Sequence, residues 1–99
     1  MDYQDFETVG RRLAILRILS RRNEYTTNEY SLSDELSGAY AHIVSRDRLH
    51  SDLGWLEEQG LVIAQQPRAG WILTLTARGG DVAAGRATQP GVARPRPGV

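Results

Sequence analysis

Residues 45–62, SRDRLHSDLGWLEEQGLV, decide the fold. Ser45 is a good N-cap, because its hydroxyl can accept from an orphan N–H of the first helical turn. Asp47, in that turn, suits the positive end of the helix dipole. Leu49, Leu53 and Leu56 recur at i, i+4 and i+7, so one apolar stripe faces a core. Gly60 then stops the helix in the manner of a C′ glycine. Downstream, Leu61-Val62-Ile63-Ala64 has the composition of a short strand, and Gln65 to Gly70 that of a turn. Trp71 to Thr76 forms a second strand, with Trp71, Leu73 and Leu75 on one side and Ile72, Thr74 and Thr76 on the other. Thr76 caps a last short helix around residues 77–86, which Gly79 and Gly80 weaken.

Upstream, Asn28 caps a helix that runs to about Tyr40 and buries Leu32, Leu36 and Ala39. Residues 41–44 link it to Ser45. A first helix over residues 4–22 places Phe6, Val9, Leu13 and Leu16 on one face. Ile15, Ile18 and Leu19 form a second apolar stripe, more than a surface helix needs. Two readings fit this surplus: a helix embedded deeply in a small core, or a homodimer interface made by Ile15, Ile18 and Leu19.

The 99 residues, 40% hydrophobic and with a formal charge of zero, suit one modest domain. The folded part is expected over 1–88. Residues 89–99, rich in Pro, Arg and Gly, are expected to form a disordered tail. There is no cysteine, which excludes disulfides and thiolate metal sites. The longest apolar run, Leu13 to Leu19, contains Arg17 and is too short to span a bilayer, and the acidic start lacks a signal pattern. A soluble protein of the bacterial cytoplasm is the expectation, with no membrane partner. All 12 basic residues are Arg, and they are unevenly spread. Residues 1–66 hold seven Arg against eleven acids, a net −4, and residues 67–99 hold five Arg against Asp81, a net +4. Such polarity could set the basic end on an anionic partner.

Three helices followed by a hairpin with a six-residue tip is the order of a winged helix-turn-helix domain: mainly α, with a three-helix core, a two-stranded wing and a short C-terminal helix. SRDRLHSDLGWLEEQGLV resembles the recognition helix of ArsR- and MarR-type regulators, and WILTLTARGGDVA is similar to their second wing strand. MDYQDF, SRDR, WLEEQGLV and PGVARPRP resemble a family of small winged-helix proteins of Mu-like phages and prophages. The resemblance implies a transcriptional regulator that binds double-stranded DNA as a homodimer. The cysteine pair of metal-sensing ArsR proteins is missing, and His42 and His50 lack a carboxylate at ligand spacing. No metal and no cofactor is expected.

Helix-turn-helix proteins set the N-terminal residues of the third helix on base edges. Arg46 and Arg48 stand there, and the fork of Arg matches guanine O6 and N7. His50 and Ser51 lie one turn further, Arg68 sits at the wing tip, and Arg94 and Arg96 offer loose phosphate contacts from the tail. Asp47, Asp52, Glu57 and Glu58 on the same helix oppose DNA, which keeps a second class of function in view. That alternative is a winged-helix module binding a phage or host protein. Trp55 beside Gly54 is a candidate protein contact, or else folds under the wing near Trp71. No nucleophile with a paired base, phosphate-binding glycine loop or carboxylate dyad points to an enzyme.

Overall fold

A computed structural model describes residues 3–96. It contains α1 (Tyr3–Ser20), a single 3-10 turn (Asn23–Tyr25), β1 (Thr26–Asn28), α2 (Glu29–Tyr40) and α3 (Arg46–Glu58). These are followed by β2 (Val62–Gln65), β3 (Ile72–Leu75) and α4 (Ala77–Ala84). The fold is a winged helix-turn-helix. None of its described helices is long and apolar enough to cross a membrane.

The caps fall where side-chain chemistry puts them. Asn28 accepts from the Ser31 N–H, Ser45 from Arg48 and Thr76 from Gly79. Gly60 adopts φ 77, and the Leu61 N–H returns to the Leu56 carbonyl at 3.0 Å, which closes α3 and turns the chain into β2. α1 ends at Ser20, short of the expected end at residue 22. Beyond Ser20, the Arg21 and Arg22 N–H groups bond back to Ile18 and Leu19, which tightens the helix end. Glu24 and Tyr25 then take φ 57 before the chain enters β1.

β1 adds a third strand to the expected hairpin. The order is β1-β3-β2, antiparallel throughout, with Thr26 opposite Thr74 and Val62 opposite Leu75. Leu73, Leu75 and Val62 point into the core, whereas Ile63 and Ile72 face solvent. The free edge of β2 is partly covered by α3, because the Ala64 N–H donates to the Glu57 carboxylate at 2.8 Å. Gly79 lets α4 settle against the start of β2: a Cβ there would lie 2.1 Å from the Leu61 carbonyl oxygen.

Two expectations are corrected. Ile15, Ile18 and Leu19 are each 0% exposed within a single chain. α1 packs against α2, β3 and α4, so its second stripe is core and cannot form a dimer interface. The folded part also continues past residue 88. Val92 is buried, the Ala93 N–H donates to the Val9 carbonyl at 3.1 Å, and Arg12 donates to the Gly91 carbonyl at 3.1 Å. One apolar side chain and satisfied backbone groups hold 90–93 onto α1, where composition suggested a solvated coil. Arg94 and Arg96 are exposed beyond that seat, and residues 97–99 of the expected tail lie outside the described residues.

Candidate nucleic-acid interface

α3 buries Leu49, Asp52, Leu53 and Leu56. The helical period then puts Asp47, Ser51, Gly54 and Glu58 at the centre of its outward face. Arg46, His50 and Glu57 flank that face on the wing side, and Arg48 and Trp55 flank it on the α1 side. Each flank is anchored by a buried carboxylate on the protein.

On the wing side the anchor is Glu29, the first residue of α2, only 2% exposed. Its carboxylate accepts from Arg46 Nε at 2.8 Å, from His50 Nε2 at 3.0 Å and from the Trp71 N–H at 2.6 Å. Burial pushes this carboxyl up, but the Trp71 N–H, Arg46 and His50 outweigh it and hold it below the ordinary glutamate range. A carboxylate only accepts, so His50 carries its proton on Nε2. The His50 ring also stacks on Trp71 at 4.1 Å between centroids and 8° between planes. The hydrogen bond to Glu29 and its charge raise the Arg46 pKa, yet 56% of the Arg46 side chain stays exposed.

On the α1 side, Asp52 is buried against Arg11 in a direct ion pair, and Arg12 Nε lies 3.6 Å from its other oxygen. Burial, helped by the neighbouring charge of Arg11, lowers the Arg12 pKa against the opposing pull of Asp52. The Arg12 guanidinium covers the Trp55 ring at 3.9 Å from its centroid, and Gly91 presses on the same ring. Trp55 therefore packs between α1 and the C-terminal segment, not near Trp71 under the wing. A side chain at Gly54, by contrast, would meet nothing within 4 Å. His42 is half-buried, and burial with the nearby charge of Arg11 lowers its pKa.

The structure thus brings some of the sequence-selected residues together and separates others. Arg46 lies by the exposed Tyr30 ring, 5.9 Å from its centroid, and Tyr30 packs on Gly70 of the wing turn, two residues after the exposed Arg68. Arg48 and Ser51 are exposed on α3. Arg48 and Arg68 have no ion pair among the described residues. Arg94 lines a small cleft with Val82 and Gly85 at the end of α4, apart from the wing. Sequence reasoning missed Glu29 and Tyr30. Glu29 has its partners 17, 21 and 42 residues away, and only its place after a cap residue was a signal.

No family model matches the sequence. The chain is similar to the uncharacterized protein gp26 of Escherichia phage Mu, 50% identical over 93 residues that cover 94% of this chain and 95% of the relative. It is also 37% identical over 73 residues to an uncharacterized protein of Haemophilus influenzae, covering 74% of this chain and 70% of that one. Among solved structures, RosR of H. salinarum superposes with a TM-score of 0.66 at 24% identity, over 75% of this chain and 66% of its own. The RosR-S1 complex gives 0.67 at 22% identity, over 82% and 70%. At these identities the structures establish the fold.

Proposed function

We propose that this chain, which belongs to the family of phage Mu gp26, binds double-stranded DNA sequence-specifically through α3 and the wing. It acts as a small phage- or prophage-type transcriptional regulator of ArsR/MarR-like kind, in the cytoplasm of a bacterial host. The observation that carries the reading is the continuous run Arg68, Gly70, Tyr30, Arg46 along one face of a winged-helix frame, with Arg48 in the same turn of α3. In this reading Arg48 and Ser51 contact base edges and Arg68 contacts phosphate. Arg46 and His50 act from fixed positions, because Glu29 holds both. Arg94 and Arg96 add weaker phosphate contacts from outside the wing. One copy offers few unpaired cations, so a homodimer presenting two α3 helices to a two-fold site completes the proposal.

The test is an anisotropy titration on DNA flanking the gene. Arg48→Ala should cost roughly 1–3 kcal/mol on the specific site and little on unrelated DNA. Equal affinities for wild type and Arg48→Ala on the specific site would refute the assignment. A specific observation favours a second reading: the outward centre of α3 is Asp47, Ser51, Gly54 and Glu58, without a base. If the DNA titration fails, that open, acidic face around Gly54 suits a phage or host protein.

A further inference from the structure

A groove of about 720 Å³ opens between the C-terminal end of α1 and α4. Small organic ligands occupy sites of roughly 300–1,000 Å³. Part of the lining is apolar: Leu75 ends β3, and α4 contributes Ala77, Gly80, Ala83 and Ala84, whose side chains are no larger than a methyl group. Two guanidiniums join it. Arg86 pairs at 3.0 Å with Asp81, the one acid among the lining residues. Arg21 donates to the Tyr40 hydroxyl at 3.1 Å, a neutral partner that leaves its charge uncompensated. The two aliphatic hydroxyls of the lining are already engaged, Ser20 with the Arg17 carbonyl and Thr76 with the Gly60 carbonyl, each at 2.7 Å. Tyr25 stands at the same groove, 56% exposed. Glu24 and Tyr25 both take φ 57, a left-handed conformation that strains residues bearing a side chain. Burial within the chain offsets little of that strain at Tyr25, and a ligand lying on its ring would offset more.

We propose that this groove binds a small organic anion with an apolar, aromatic body. Arg21 and Arg86 hold its oxyanion group, which the planar fork of arginine matches in geometry and charge. The body lies on Leu75 and the small side chains of α4, beside Tyr25. A neutral polar molecule finds few bonding partners there, because the hydroxyls are spoken for and the charges favour an anion. No residue of the groove belongs to α3 or to the wing turn, so the site stands or falls apart from the DNA reading.

The probe is anilinonaphthalene sulfonate, titrated by its fluorescence against the full chain at moderate salt. Saturable binding of one probe per chain is expected. Phenylnaphthylamine, the same ring system without the sulfonate, should bind roughly tenfold or more weakly, as loss of a charged hydrogen bond implies. Arg21→Glu should weaken the sulfonate by about the same factor, since it removes such a bond and adds a repulsive charge. Gly80→Leu should abolish binding by filling the groove. It should keep the fold, because a Cβ at Gly80 meets only Leu75, at an ordinary 3.7 Å, and leucine favours a helix. Circular dichroism checks that each variant remains helical. Absence of saturable binding by the wild type would overturn the proposal. So would equal affinity for the neutral compound, or wild-type affinity in either folded variant.

Discussion

Glu29 and Trp71 grip each other twice. The Glu29 N–H donates to the Trp71 carbonyl at 2.9 Å, and the Trp71 N–H donates back to the Glu29 carboxylate at 2.6 Å. With Arg46 and His50 on the same carboxylate, this ring ties the start of α2 to α3 and to β3. The relative placement of helix and wing depends on one acidic side chain.

Glu29→Ala should therefore destabilise the fold by about 3 kcal/mol, since three donors lose a buried ionic acceptor. Urea unfolding followed by circular dichroism measures it, and a loss within experimental scatter of zero contradicts the ring's importance.

The same residue sets an acid sensitivity. Its folded pKa lies below the ordinary 4.5. Its contribution to stability is thus full above about pH 4.5 and is lost as pH falls through the depressed folded value. Glu29→Gln should flatten the stability profile in that window. Parallel acid-unfolding curves for variant and wild type would count against it.

At Gly79 and Gly80, opposite signs are expected from the same substitution. Gly79→Ala puts a methyl 2.1 Å from the Leu61 carbonyl oxygen and should cost about 1–3 kcal/mol. Gly80→Ala meets Leu75 at an ordinary 3.7 Å and should gain about 0.5–1 kcal/mol from helix propensity. Thermal melts of the two variants would show the midpoint moving down in one and up in the other; a shared direction refutes the close-approach argument.

Removing residues 90–99 should destabilise the domain by about 1.5–3 kcal/mol, chiefly through Val92. Stopping after Ala93 instead should leave stability near wild type. Equal unfolding midpoints for the two truncations would contradict the seat on α1.

In a salt titration of DNA binding, Arg68→Ala should flatten the slope by up to about 0.9, whereas Arg48→Ala, which removes a base contact, should leave it nearly unchanged. Stopping after Ala93 should flatten it less, because Arg94 leaves from the end of α4. A larger effect from the truncation would move the DNA path toward α4.

Caps and stripes were legible in the sequence because their causes are local: Ser45, Asn28 and Thr76 act on neighbours three residues on, and Leu49, Leu53 and Leu56 share a face. β1 was not, since Thr26-Thr27-Asn28 is polar and becomes a strand only by pairing with β3. The packed 90–93 segment was hidden by prolines that mark loops whether solvated or seated. At the site, the first turn of α3 and the wing turn were legible as exposed arginines. That Arg46 and His50 are held by Glu29 was not, because a carboxylate after an N-cap is already accounted for by the helix dipole.

The hydrogen bond from Ala93 to Val9 joins the segment after α4 to the first helix, and this bears on how the protein is made. During synthesis α1 emerges well before Gly91, Val92 and Ala93, which cover part of it. Contacts of such large sequence separation form slowly, and transiently bare apolar surface invites association with other chains. Until Gly91, Val92 and Ala93 have been made and have cleared the ribosome, the flank of α1 around Val9 and Arg12 lacks this cover. Closure of α1 thus waits on a segment that is made well after it.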